Sequence, residues 1–184
     1  MLRGRGATAV WNDSGARRFF EWQAGSLFAV PLTAWHQHFN GAGSEAVRYL
    51  GVTNAPQVFN LYYDPEFVFR IARDFLDRFD GREGYFSSKR TALGYLWVTN
   101  FVANVRTMPL REARERGAGG GHVRFKLAGG ALESHISEFP VGTYKKAHRH
   151  GPGAHVIVVS GSGYSLMWPE GQPSGAMTGR KGAC

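Results

Sequence analysis

Short apolar runs of strand length, separated by glycine-containing turns, recur along most of this chain and constrain its fold more than any other feature. Glycine supplies 25 of the 184 residues, roughly twice its average share in proteins. Between Pro65 and Phe79 the apolar residues recur instead at i, i+3 and i+4, which is typical of an amphipathic helix. We therefore expect a mostly β fold with one short helical segment around 65–79. The predicted strands lie at 19–30 (two strands), 34–40, 47–53, 93–105, 123–127, 136–144, 155–159 and 164–168.

Cysteine usage and charge exclude several classes of protein. The one cysteine is Cys184, which rules out an internal disulfide framework, cysteine zinc sites and iron–sulfur clusters. No apolar run approaches the ~20 residues that span a bilayer, and the first residues do not resemble a signal peptide, so we expect a cytoplasmic protein without membrane contact. The net charge of +8 suits anionic partners such as nucleic acid, an acidic surface or a carboxylate substrate. Nucleic acid is not the expected partner, because the sequence has no RNP, zinc-finger or helix-turn-helix signature.

Changes in composition divide the chain into five segments. Residues 1–18 are basic and contain glycine, and they predict a loose N-terminal segment. Residues 111–122 are charged and then glycine-rich, which is typical of a linker. This linker would separate one β-rich part, 19–110, from another, 123–170. Residues 171–184 are rich in glycine, proline and serine and predict a flexible tail.

Five of the seven histidines fall into two groups, and these are the best candidates for chemistry. His36 and His38 alternate on a predicted strand, so their imidazoles share one face about 7 Å apart along the chain. The second group contains His148, His150 and His155. Imidazole suits Fe, Ni, Cu and Zn, and also Mn when oxygen ligands are present. The clustering favours one divalent transition metal, whose identity among Fe, Mn, Ni, Cu and Zn stays open.

Two segments around these histidines resemble the two sequence motifs of the cupin superfamily. Residues 142–150, GTYKKAHRH, match the first half of motif one, G-x5-H-x-H-x3/4-E-x6-G. Residues 25–40, GSLFAVPLTAWHQHFN, match motif two, G-x5-P-x-G-x2-H-x3-N, except that Thr33 replaces the middle glycine. The chain thus resembles part of a two-domain cupin, or bicupin, of the kind labelled ethanolamine ammonia-lyase-activating protein.

The resemblance implies a small antiparallel β-barrel or jelly roll that holds one metal. His148 and His150 would be the ligands from motif one, and His36 the ligand from motif two. The motif-one glutamate is missing, and His155 or Ala154 stands in its place. If His155 binds, the ligand set is all histidine, as in some dioxygenases. Such a centre would allow dioxygenase-like oxidation of a small anionic substrate.

The two motifs stand in reversed order along the chain. One interpretation is that the chain joins the end of one cupin domain to the start of the next, giving two partial cupin halves. Unpaired strand edges would then favour a homo-oligomer or a strand-exchanged dimer. Alternatively, the halves close one permuted barrel that unites His36 with His148 and His150. The functional alternatives are a non-catalytic binding or activator module and a truncated bicupin without independent activity.

Overall fold

The computed structural model describes residues 1–171 and 175–177, and strands dominate it. Strand accounts for 29% of the chain and helix for 9%, and one sheet curls into a half-barrel, so the mostly β prediction is confirmed. The strands are β1 Arg5–Trp11, β2 Arg18–Gln23, β3 Leu27–Phe28, β4 Trp35–Asn40, β5 Thr91–Leu93, β6 Leu96–Thr99, β7 Phe101–Val102, β8 Arg111–Glu112, β9 Gly121–Leu127, β10 Glu133–Glu138, β11 Ser165–Met167 and β12 Gly175–Met177. The helices are α1 Ala55–Tyr62, α2 Pro65–Phe69 and a 3-10 turn, Arg114–Arg116.

The chain divides into two compact units, a larger one of Met1–Lys146 and a smaller one of Ala147–Cys184. This division does not fall in the segment 111–122 that the composition predicts to be a linker. That segment instead contains β8, the 3-10 turn and the start of β9. Pairing explains the difference, because β8 and β10 both hydrogen-bond to β9 and draw these residues into a sheet.

An antiparallel sheet with the order β2-β1-β4 forms the first part of the larger unit. Its central strand, β1, lies within the N-terminal segment that was expected to be loose. Thr8, Ala9 and Val10 of this strand are buried, and burial on a paired strand outweighs the basic, glycine-containing composition around them. Phe20 on β2 stacks on Phe86 with ring centroids 4.1 Å apart. The first core comprises Val10, Phe20, Trp22, Ala34, Phe79, Tyr85, Phe86 and Phe101.

A second sheet has the order β10-β9-β6-β5, and β8 pairs with the remaining part of β9. β6 and β9 run parallel, whereas the other pairs are antiparallel. The side chains of β9 alternate as the sequence predicts: Val123, Phe125 and Leu127 are buried in the second core with Trp97 and Val102. The short pair β3–β7 lies at the junction, since Leu27 packs on the second core and Phe28 on the first.

The helical region differs from the expected helix over 65–79. The structure has α1 and α2, and residues 70–79 of the described chain are not helical. Asp64 caps α2 by accepting a hydrogen bond from the Glu66 backbone N–H at 2.9 Å. Phe67 and Ile71 are exposed and Phe79 alone is deeply buried. The apolar stripe therefore lacks the tertiary packing that stabilises most helices in proteins.

The smaller unit has one hairpin among its described residues, in which β11 pairs with β12 from Ser165↔Met177 to Met167↔Gly175. β11 lies within the predicted strand 164–168. The predicted strand 155–159 is absent from the described residues, and at 47–53 an isolated bridge from Arg48 to Arg3 replaces a strand. Of the expected tail, 172–174 and 178–184 lie outside the described residues. Within the described ranges, no helix is both long enough and apolar enough to cross a membrane.

Candidate metal centre

β4 places His36 and His38 side by side on one face of the first sheet, as the strand spacing predicts. In the register with β1, His36 lies opposite Val10 and His38 lies opposite Thr8. The two imidazole centroids are 5.4 Å apart. A tetrahedral ion that binds two imidazoles at about 2.1 Å each holds their centres roughly 5 Å apart. The pair therefore has the spacing of a two-histidine chelate.

The ring of His36 is oriented by its own backbone. Nδ1 lies 3.3 Å from the Ala34 carbonyl oxygen. Because a carbonyl only accepts hydrogen bonds, Nδ1 of His36 must carry the proton and donate it. In the neutral ring, Nε2 then has the lone pair. Metal-ligating histidines use this arrangement, in which the second ring N–H is held by a carbonyl or carboxylate. His36 is exposed, so an ion in solution has access to it.

His38 is the last member of a series of hydrogen bonds that crosses all three strands. The indole N–H of Trp22 donates to Thr8 Oγ1 at 2.8 Å, and Thr8 Oγ1 lies 2.8 Å from Nδ1 of His38. Thr8 is fully buried. Its hydroxyl can donate its proton to Nδ1 of His38, which leaves the proton of the neutral ring on Nε2, or its oxygen can accept the Nδ1–H through a second lone pair. In the second tautomer, Nε2 of His38 is unprotonated and available as a ligand.

Close packing of the backbone at Gly6 makes room for this series of hydrogen bonds. A Cβ atom at Gly6 would lie 2.0 Å from the Phe39 carbonyl oxygen and 2.5 Å from the Trp22 ring. Only glycine therefore allows the indole to lie against β1 and reach Thr8. The sequence pattern gave no sign of Thr8 or Trp22 as members of the site, because both come from strands distant in sequence from His38.

Aromatic rings flank His38 and keep it neutral. The centroids of Tyr49 and Phe28 lie 5.4 and 6.2 Å from the His38 ring. Burial lowers the pKa of His38, and the neighbouring His36 lowers it further. The neutral imidazole, which is the form that binds metals, is therefore favoured at neutral pH.

Left-handed backbone occurs at two positions where the cupin motif has glycine, one in the turn between β2 and β3 and one in the turn before β4. Gly25 has φ 95°, and a Cβ there would lie 2.3 Å from Asn104 Oδ1. Thr33 stands at the other glycine position and still has φ 59°, which is uncommon for a β-branched residue. Its hydroxyl donates towards the carbonyl oxygens of Leu32 and Arg73, each at 2.8 Å. These bonds help to hold the strained turn that leads into β4.

The second histidine group lies in the smaller unit, in a segment without regular secondary structure. The rings of His148 and His150 have centroids 5.7 Å apart. Nδ1 of His150 donates to the Pro152 carbonyl oxygen at 2.6 Å, which leaves Nε2 of the neutral ring with a lone pair, as in His36. His155 is exposed, and the predicted strand that would have directed its side chain is not formed. His148 and His150 thus form a second two-histidine pair.

Each histidine pair therefore has the spacing to supply two ligands to a metal ion, but the described part of the chain places no third protein ligand beside it. Among residues 1–171 and 175–177, no three His, Cys, Asp or Glu side chains are grouped closely enough to hold one ion. Each pair would need water, a bound anion or another chain to complete the coordination. A permuted barrel uniting His36 with His148 and His150 stays a prediction.

Comparison with known proteins adds nothing to this geometry. No family model, no curated protein and no solved structure matches the chain. What the protein does must therefore be inferred from its own residues.

Proposed function

We propose that this chain is a metal-binding β protein in which His36 and His38 chelate a divalent transition metal. The main support is the hydrogen bond from Nδ1 of His36 to the Ala34 carbonyl, because it fixes the tautomer in which Nε2 can bind an ion. The 5.4 Å separation of the two rings and the lowered pKa of His38 support the same proposal. A cupin-type half-barrel is part of it, supported by the left-handed backbone at Gly25 and Thr33.

The ligand chemistry indicates which ions to test. Imidazole nitrogens without thiolate favour Zn²⁺, Cu²⁺, Ni²⁺ and Fe²⁺ over hard cations such as Mg²⁺. Two protein ligands leave several positions open, at which a bound ion would act as a Lewis acid or bind a small anion. His148 and His150 would form a second, separate chelate of the same kind. A role for His155 as a ligand stays a prediction.

Co²⁺ binding followed by visible absorption tests the proposal. The experiment uses the His148→Gln/His150→Gln double variant, which removes the pair in the smaller unit and leaves the pair on β4 together with His122 and His135, whose ring centroids are 5.3 Å apart. We expect one Co²⁺ per chain at pH 7.5, and at least tenfold weaker binding after further substitution of His36→Gln or His38→Gln. His135→Gln is the matched control, because it breaks the other close histidine pair and leaves β4 unchanged, so it should bind Co²⁺ as the double variant does. Absence of Co²⁺ binding, or binding that survives both substitutions on β4, would refute the proposal.

Nothing in the described residues favours a particular reaction. The functional alternatives therefore stay predictions: dioxygenase-like oxidation, a non-catalytic activator module and a truncated bicupin. The homo-oligomer or strand-exchanged dimer also stays a prediction. Metal binding comes first in the order of tests, because each catalytic alternative depends on it.

A further inference from the structure

The second sheet contains a cavity that the sequence motifs do not involve. Its volume is about 320 Å³, and it lies between the β5–β6 hairpin, the 3-10 turn and β9. The chemically active groups that line it are Tyr95, Glu115, Arg116, His122 and Arg124. None of these residues belongs to either histidine pair, so this site is independent of the proposed metal centre.

His122 is the buried polar group of the cavity. It is only 2% exposed, although the sequence places it at the end of an apparent linker. Its Nδ1 lies 3.1 Å from Ser137 Oγ, and the Lys145 ammonium donates to the same Oγ at 3.4 Å. Because Ser137 accepts from Lys145, its own hydroxyl proton is free to point at Nδ1 of His122. The neutral ring then carries its proton on Nε2.

That Nε2 atom is buried and has no hydrogen-bond partner among the described residues. A buried donor without an acceptor is costly, so such a group in a folded protein calls for an explanation. His122 also lines the cavity, so a ligand there whose acceptor oxygen reaches Nε2 would supply the missing partner.

The charges around His122 specify the ligand further. Burial lowers its pKa to about 4, and Arg116 is the largest of several charged neighbours that add to the effect, followed by His135, Lys145 and Arg124. His122 therefore stays neutral at pH 7 and keeps the donor on Nε2. Arg124 pairs with Glu133 across the strands.

These fixed charges leave a small positive excess. Among the residues that line the cavity, Arg116 and Arg124 contribute two positive charges and Glu115 contributes one negative charge, so 2 − 1 = +1 remains. One excess positive charge matches a monoanionic carboxylate better than a phosphate dianion. Guanidinium groups also bind carboxylates through paired, planar hydrogen bonds.

We propose that the cavity beside His122 binds a small carboxylate, with Arg116 as its charge partner and the Nε2–H of His122 as a second donor. Tyr95 forms part of the wall, where its ring centroid lies 6.2 Å from that of His122. The hydroxyl of Tyr95 donates to the Glu112 carbonyl oxygen at 2.9 Å, so it fixes the wall and is not needed to bind the anion.

Titration calorimetry at pH 7 in metal-depleted buffer tests this site on the full chain. The probes are the monoanions acetate, lactate and benzoate, with inorganic phosphate and the amide of the best-binding acid as comparisons. We expect at least one acid to bind, its amide to bind at least tenfold more weakly, and Arg116→Gln to weaken acid binding at least tenfold. Lys126→Gln is the matched control, because Lys126 lies on the same strand as Arg124 but does not line the cavity, and this variant should bind as the wild type does.

Several results would overturn the proposal: no binding of any of the three acids by folded protein, equal binding of the amide, tighter binding of phosphate, or equal losses in Arg116→Gln and Lys126→Gln. His122→Gln, checked for folding by circular dichroism, should weaken acid binding without abolishing it, and unchanged binding in a folded variant would remove His122 from the site. Because metal is absent throughout, failure here leaves the Co²⁺ experiment unaffected.

Discussion

Acidification should destabilise this protein, and the buried side chain of His122 should make a large contribution to the loss. Its pKa falls from 6.5 in an open environment to about 4 in the fold. Between these two values the unfolded chain binds a proton that the folded chain does not, so stability is fully present above pH 6.5 and is lost as the pH falls. Each pKa unit corresponds to about 1.4 kcal/mol. Relative to pH 7, His122 should lower the free energy of unfolding by about 2 kcal/mol at pH 5 and about 3 kcal/mol at pH 4.

Urea unfolding followed by tryptophan fluorescence measures this effect, since the chain has five tryptophans. The wild type and His122→Gln are compared at pH 7, 6, 5 and 4, because carboxylates titrate equally in both and cancel in the difference. The variant should lose about 2 kcal/mol less than the wild type between pH 7 and pH 5. His155→Gln, which removes an exposed histidine, should follow the wild type. Parallel pH profiles for wild type and His122→Gln would show that the reasoning about its burial is wrong.

Two further predictions concern the backbone around β4. Thr33 has left-handed φ, so Thr33→Gly should be about 1 kcal/mol more stable than Thr33→Ala. Both variants lose the hydroxyl, but only alanine keeps the strained Cβ. Equal midpoints of urea unfolding for the two variants would contradict this strain. Gly6→Ala should cost about 3 kcal/mol or more, because its Cβ would lie 2.0 Å from the Phe39 carbonyl oxygen. Gly43→Ala is the control, because no atom lies within 4 Å of its Cβ, and it should leave the melting temperature nearly unchanged. A comparable loss of stability in Gly6→Ala and Gly43→Ala would argue against the close packing at Gly6.

The fold could be predicted from the sequence where a local pattern and its packing agree. The sequence predicts β4 at 34–40, and the strand lies at Trp35–Asn40, because period-two alternation ends at a glycine turn. β1 was missed because its strand character depends on pairing with β2 and β4, which no local pattern records. The opposite error occurred at 155–159, where an apolar run forms no strand among the described residues and Val156 is 86% exposed.

The candidate metal pair could be predicted for the same local reason, since alternate residues of a strand share a face. The groups that support this pair could not be predicted from the sequence. Thr8 and Trp22 reach His38 only through the sheet register, and the burial of His122 depends on β9 pairing with both β8 and β10. Such positions carry no signal in a single sequence, because polarity alone does not distinguish a buried histidine from an exposed one.

The position of β1 has a consequence for how the chain folds as it is synthesised. The central strand of the first sheet leaves the ribosome before either of its partners, and β4 follows about thirty residues later. The first core closes later still, because Phe20 packs on Phe86 and Phe101. Until Phe86 and Phe101 are available, Phe28 is the one aromatic neighbour of Phe20 already synthesised, and non-local pairing of this kind is slow and prone to aggregation. Slower translation over residues 40–100 should therefore lengthen the exposure of Phe20 and increase the dependence of folding on chaperones that hold nascent chains.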